Sequence, residues 1–123
     1  MKIVLQIFIV IVAVEHVFFL WLEMFAWETK AKTVFKGSMP QELFKPTKKL
    51  AANQGLYNGF LAAGLLWTFF ISNDEWKRNI SGFFLSCVVC AGLYGAWSVS
   101  KKIFFVQALP ALITLLLVIL LSR

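Results

Sequence analysis

Charge is what this chain has least of. Of its 123 residues only 15% are charged, six are Asp or Glu, and there are one histidine, two cysteines and three prolines. So little charge excludes an ordinary soluble domain, in which about a quarter of the residues are charged. A metal site takes three or four ligands, and one His with two nearby Glu could supply it only with water or a second subunit, so no metal is expected. Cys87 and Cys90 form a CxxC inside an apolar run, with no basic neighbour to make a thiolate, and read as small packing residues. The net charge of +6 has no basic soluble surface to sit on, which excludes a nucleic-acid partner.

What the chain does have is 60% hydrophobic residues and a mean hydropathy of +0.80. Four apolar stretches, residues 3–27, 50–71, 80–99 and 103–121, each reach the roughly 20 residues that a helix needs to cross about 30 Å of hydrocarbon. Runs such as Leu115 to Leu121 and Ile7 to Val14 are apolar on every face, so barrel strands with their alternating pattern do not fit. The first stretch lacks a small-x-small cleavage pattern and resumes after Glu15-His16, so it reads as a mature span and not as a signal peptide. The expected fold is an all-α integral membrane protein, one transmembrane domain over 1–123, built as a four-transmembrane-helix bundle with a long first loop, 28–49.

Orientation follows from the short loops. Lys30, Lys32, Lys36, Lys45, Lys48, Lys49, Lys101 and Lys102 belong to one side, and Lys2, Lys77, Arg78 and Arg123 to the other. The lysine-rich side is expected in the cytoplasm, with both termini outside. Membrane lipids are then obligatory partners. Within the loop, Ser38, Pro40 and Gln41 predict a short helix start, with Val34-Phe35 and Leu43-Phe44 lying in the lipid interface.

Ionisable residues inside a span cost on the order of 2.5 to 3.5 kcal/mol each, which makes Glu15, His16 and Glu23 the leading candidates for chemistry. His16 and Glu23, seven apart, share a stripe, and Glu15 lies about 80 to 100° round. At about 1.5 Å per residue from the lysine-rich boundary, Glu23 is roughly 6 Å deep and Glu15 and His16 roughly 17 Å. Asn53, Gln54, Tyr57, Asn58, Tyr94 and Gln107 all fall within roughly 12 Å of the same boundary. The opposite halves of the spans are nearly apolar. This sorting by depth predicts a polar pocket in the cytoplasmic half, with Glu23, His16 and Glu15 as acid/base groups and the other six lining it. Gly55 and Gly59 form a GxxxG step for close helix approach, and Pro110 should loosen the last span.

The strings Glu15-His16, Leu22-Glu23-Met24-Phe25-Ala26-Trp27, Ala51 to Gly64 and Ala91-Gly92-Leu93-Tyr94-Gly95 resemble a bacterial membrane family catalogued as domain of unknown function 1304. The resemblance covers nearly the whole chain and implies a small multi-span inner-membrane protein with no assigned activity. In length, four-helix form and long first loop the chain is also similar to the membrane-associated proteins of eicosanoid and glutathione metabolism, which implies trimeric assembly. Lys49 and Asn53 match the basic residue and Asn of that family's second helix, Leu56 stands where it has an acid, and the third span lacks its Arg.

Three functions are compatible with these residues. One is binding or processing of a small amphipathic or lipid-like molecule in the polar half. Another is a structural or assembly subunit whose polar groups hold helices together. The third is a small proton-coupled exporter that uses Glu15. A homo-oligomer, dimer or trimer, is expected, and no feature assigns a cofactor.

Overall fold

A computed structural model describes residues 1–122; Arg123, counted above with the external charges, lies outside the described residues. The described residues form an all-helical structure with five α-helices: α1 (Ile3–Phe25), α2 (Lys30–Val34), α3 (Lys48–Trp67), α4 (Asp74–Ser98) and α5 (Leu109–Leu121). Short 3-10 turns occupy Gln41–Leu43 and Thr68–Phe70, and a π-helical turn, Phe104–Ala108, leads into α5. Among the described residues the only β-type pairing is an isolated bridge between Lys36 and Met39.

Among the described residues three segments are long and apolar enough to cross a membrane: Ile3–Phe25, Asp74–Ser98 and Phe104–Leu121. The 20-residue α3 is not among them, because Lys48, Lys49, Asn53, Gln54 and Asn58 dilute its apolar surface. The third span also begins earlier than its apolar stretch predicts. Asn73 caps α4 by accepting from the Trp76 amide at 2.9 Å, and Asp74 and Glu75 occupy the first turn, where acids favour the positive end of the helix dipole. The polar string 72–79 is therefore mostly the first turns of a helix.

The long helices pack in a ring, α1 against α3 and α5, and α4 against α3 and α5. Two contacts mark one end: the Met1 ammonium lies 3.9 Å from Asp74, and Arg78 donates to the Ser122 carbonyl at 3.4 Å. At the other end Trp27 Nε1 donates to Thr47 Oγ1 at 3.0 Å, joining the exit of α1 to the entry of α3. Met1 and Ser122 thus share one end, and the eight lysines of 30–49 and 101–102 follow the opposite ends of α1 and α4. The core of the terminal end is apolar, formed by Leu5, Ile9, Val12, Ala13, Leu65, Leu85, Val88, Ala111 and Val118.

The 28–49 connector is folded. Phe44, expected in the lipid interface, is fully buried with Leu22 and Ala31, and Phe19, Trp27, Val34, Phe35 and Met39 pack around them. Leu43 points outward instead. Gly37, at φ +90°, takes the left-handed turn between the two halves of the connector, a conformation glycine adopts without Cβ strain.

Lipid tails are as apolar as Leu, so helices that meet in a membrane are held chiefly by close packing. Glycines supply it here: a Cβ on Gly64 would lie 2.2 Å from the Phe84 ring, and one on Gly92 would lie 2.6 Å from the backbone nitrogen of Ala108. Gly92 admits α4 against the π-helical turn, where Leu109 N–H reaches back to the Phe104 carbonyl just before Pro110, which has no N–H to give. Gly92→Ala should therefore lower the unfolding midpoint in detergent, since backbone blocks the added methyl. Gly82→Ala, with open space around it, should leave the midpoint unchanged or raise stability by about 0.5 to 1 kcal/mol through helix propensity.

Candidate functional site

The residue that organises the polar half is Glu23. Only 5% exposed, it accepts from the Asn58 amide at 2.7 Å, a bond between α1 and α3. Glycine makes this approach possible. A Cβ on Gly55 would lie 3.0 Å from Glu23 Cβ and 2.8 Å from Met24 Cγ, and one on Gly59 would lie 2.6 Å from Leu20. The Gly55–Gly59 step thus seats α3 on the stripe of α1 that carries Leu20 and Glu23.

His16, fully buried, faces the other neighbour of α1. Its Nδ1 lies 2.8 Å from the Val12 carbonyl, which can only accept, so Nδ1 carries the proton. Nε2 is then an acceptor, and Gln107 Nε2 donates to it at 3.2 Å. Gln107 sits in the π-helical turn, whose wider winding carries its side chain at the α1–α5 contact. The Phe19 ring meets the imidazole edge to face at 5.4 Å. Both ring nitrogens are engaged, and the pair ties α1 to the entry of α5 as Glu23–Asn58 ties α1 to α3.

Glu15 has no such partner. Its Oε1 is buried and makes no hydrogen bond. Glu15, Phe19 and Leu22 fall at i, i+4 and i+7, one flank of α1, and the latter two belong to the apolar cluster of the connector. Glu15 is therefore placed one helical turn beyond the folded connector, on the side that the connector covers.

The remaining sequence candidates do not join this group. Asn53, Gln54, Tyr57 and Tyr94 are all exposed on the single chain, Tyr57 by 56% and Tyr94 by 67%. Tyr57 packs beside Phe60 with ring centroids 6.0 Å apart, and Tyr94 beside Trp97 at 5.8 Å, each pair on the outside of its own helix. The nine candidates form two buried interhelical pairs, one unsatisfied carboxyl and four outward groups. A single chamber lined by all of them is not what the chain builds. Depth counting could not find this, because it places residues along the membrane normal and says nothing about rotation round each helix. The surface depressions lie elsewhere and are open and shallow: one along Ile3, Gln6, Ile7, Val10 and Ile11, the other at Met1, Lys2, Asp74, Leu121 and Ser122. Among the described residues no three His, Cys, Asp or Glu side chains cluster as a metal site would require.

The family described as "Protein of unknown function (DUF1304)" matches residues 10–119, a span that holds all nine candidate residues. The chain belongs to this family. DUF1304 proteins carry no assigned activity in that description. The chain is similar to "Uncharacterized protein YpaA" of Lactococcus lactis subsp. lactis (strain IL1403), 30% identical over 117 residues that cover 94% of this chain and 97% of that protein. No solved structure matches it significantly.

The Glu23–Asn58 bond should show as coupling energy. Glu23→Leu and Asn58→Leu, measured singly and together by unfolding in detergent, should give an interaction term of about 0.6 to 1.7 kcal/mol, the range found for interhelical polar pairs in membranes. Additive losses would mean that the two side chains do not stabilise each other.

Proposed function

We propose that this DUF1304 protein is a four-span protein of the bacterial inner membrane that binds a small amphipathic molecule whose polar head reaches Glu15. Four crossings follow from continuity. If α1 and α4 both span, α3 must also cross, because α1 exits at the lysine-rich end and α4 starts at the terminal end. The lysine-rich end faces the cytoplasm by the positive-inside rule, with both termini outside. The four helices then make a transmembrane bundle in which α3 is shielded on two sides by α1 and α4.

The observation that carries the ligand is the lone buried oxygen of Glu15. A carboxyl oxygen surrounded by hydrocarbon and protein lacks the donor that water would otherwise supply, and polar groups left in that state are costly. Glu23 and His16 are committed to holding α1 against its neighbours, so Glu15 is the ionisable group still free for chemistry. Its natural complement is a hydroxyl or ammonium head on an apolar tail, the tail lying along the exposed side chains of Ile11 and Phe18, which neighbour Glu15 on the surface of α1. His16, one residue away, would serve as the proton partner in any acid/base step, at the cost of its bond to Gln107.

Mass spectrometry of small molecules extracted from the purified protein tests this. A co-purifying amphiphile present in wild type and in Glu28→Gln, and lost in Glu15→Leu of unchanged stability, is the expected outcome. Equal occupancy in wild type and Glu15→Leu would remove the proposal. A structural subunit is the second reading, favoured by the two interhelical bonds, and it expects no bound molecule. Proton-coupled export through Glu15 is separated from binding by reconstitution: pH-driven cation flux in liposomes that Glu15→Gln abolishes would favour transport.

A further inference from the structure

We infer that α3 is an interface between copies of this chain, with Asn53 and Tyr57 at its centre. The inference rests on the membrane-spanning reading above and on two separate observations. First, α3 is the long helix whose apolar stretch is most diluted by polar residues. Second, its polarity is not all spent inside the chain. Asn58 turns inward to Glu23, while Asn53, Gln54 and Tyr57 are exposed, and Asn53, Tyr57 and Phe60 share one outward stripe at i, i+4 and i+7.

Counted at about 1.5 Å per residue from Lys49, Asn53 lies roughly 6 Å and Tyr57 roughly 12 Å below the level of that charge. At the depth of Tyr57 acyl chains offer neither donor nor acceptor, and Asn53, Tyr57 and Phe60 are exposed on the single chain. A second copy supplies what is missing. A side-chain amide both donates and accepts, so the same stripe on a second chain inserted in the same direction is self-complementary about a symmetry axis along the membrane normal. Beyond Lys49 the face carries no charge as far as Trp67, so bringing two copies together sets no like charges against each other inside the hydrocarbon. Tyr57 and Phe60 add flat aromatic area on either side of the amide.

The test uses full-length protein reconstituted in vesicles of purified phosphatidylethanolamine and phosphatidylglycerol, where no other protein can occupy the face. In a Cys87→Ala, Cys90→Ala background, Asn53→Cys and Tyr57→Cys should form oxidatively cross-linked oligomers. Val14→Cys, exposed on the outside of α1, should remain monomeric. Energy transfer between labelled copies, followed as lipid dilutes them, should show self-association weakened about tenfold by Asn53→Leu with Tyr57→Leu. Protein that enters the vesicles yet stays monomeric at every dilution, or cross-links as readily through Val14→Cys, overturns the interface and leaves the four-span reading intact. Protein that fails to float with the vesicles overturns both.

Discussion

In hydrocarbon a polar group has no water to fall back on, and the arrangement of this chain is dictated by how its few polar groups meet that constraint. Glu23 finds the Asn58 amide, and His16 finds the Val12 carbonyl and the Gln107 amide. These bonds point from α1 to two different neighbours, so one helix fixes the azimuth of α3 and of the turn that starts α5. Each such bond is modest, about 0.6 kcal/mol on average. Their weight lies in direction: an apolar helix packed only on glycines and leucines could rotate or slide, and a hydrogen bond cannot without being broken.

Backbone features serve the same bonds. Gly55 and Gly59 bring α3 close enough to α1 for the Glu23–Asn58 contact. Pro110 and the π-helical turn before it set the winding at Gln107, and Gly92 makes room for that turn against α4. Such turns recur where a side chain must be aimed at a site and not merely packed. The connector completes the polar half by burying Phe44 against Leu22 and Ala31 beside α1, which leaves all its lysines but the half-buried Lys32 outward.

The division of labour among the acidic and amide groups is what gives the functional reading its shape. Two ionisable residues are consumed by architecture and one is not. The amides divide likewise, Asn58 inward and Asn53 outward. A chain that needed polarity only to hold itself together would not require Glu15 with an unbonded oxygen, nor an amide and a phenol on the outward side of α3.

The class of protein, the helical content and the separation of an apolar half from a polar half were legible in the sequence. They follow from run length, from the scarcity of charge and from depth, which is a one-dimensional coordinate that residue numbers supply. The contact of Gly55 and Gly59 with α1 was foreshadowed by their spacing. Rotation was not legible: whether Asn53 or Asn58 turns inward, whether Phe44 meets lipid or Leu22, and which acid keeps an unpaired oxygen depend on where the neighbouring helix stands. Asn73 as a helix cap was missed for a related reason, since a polar string reads as a break until its side chain is seen accepting from the first turn. Position along the membrane normal is written in the order of the residues, whereas position around each helix is decided by packing, because only a second surface can tell a helix which of its faces is inside.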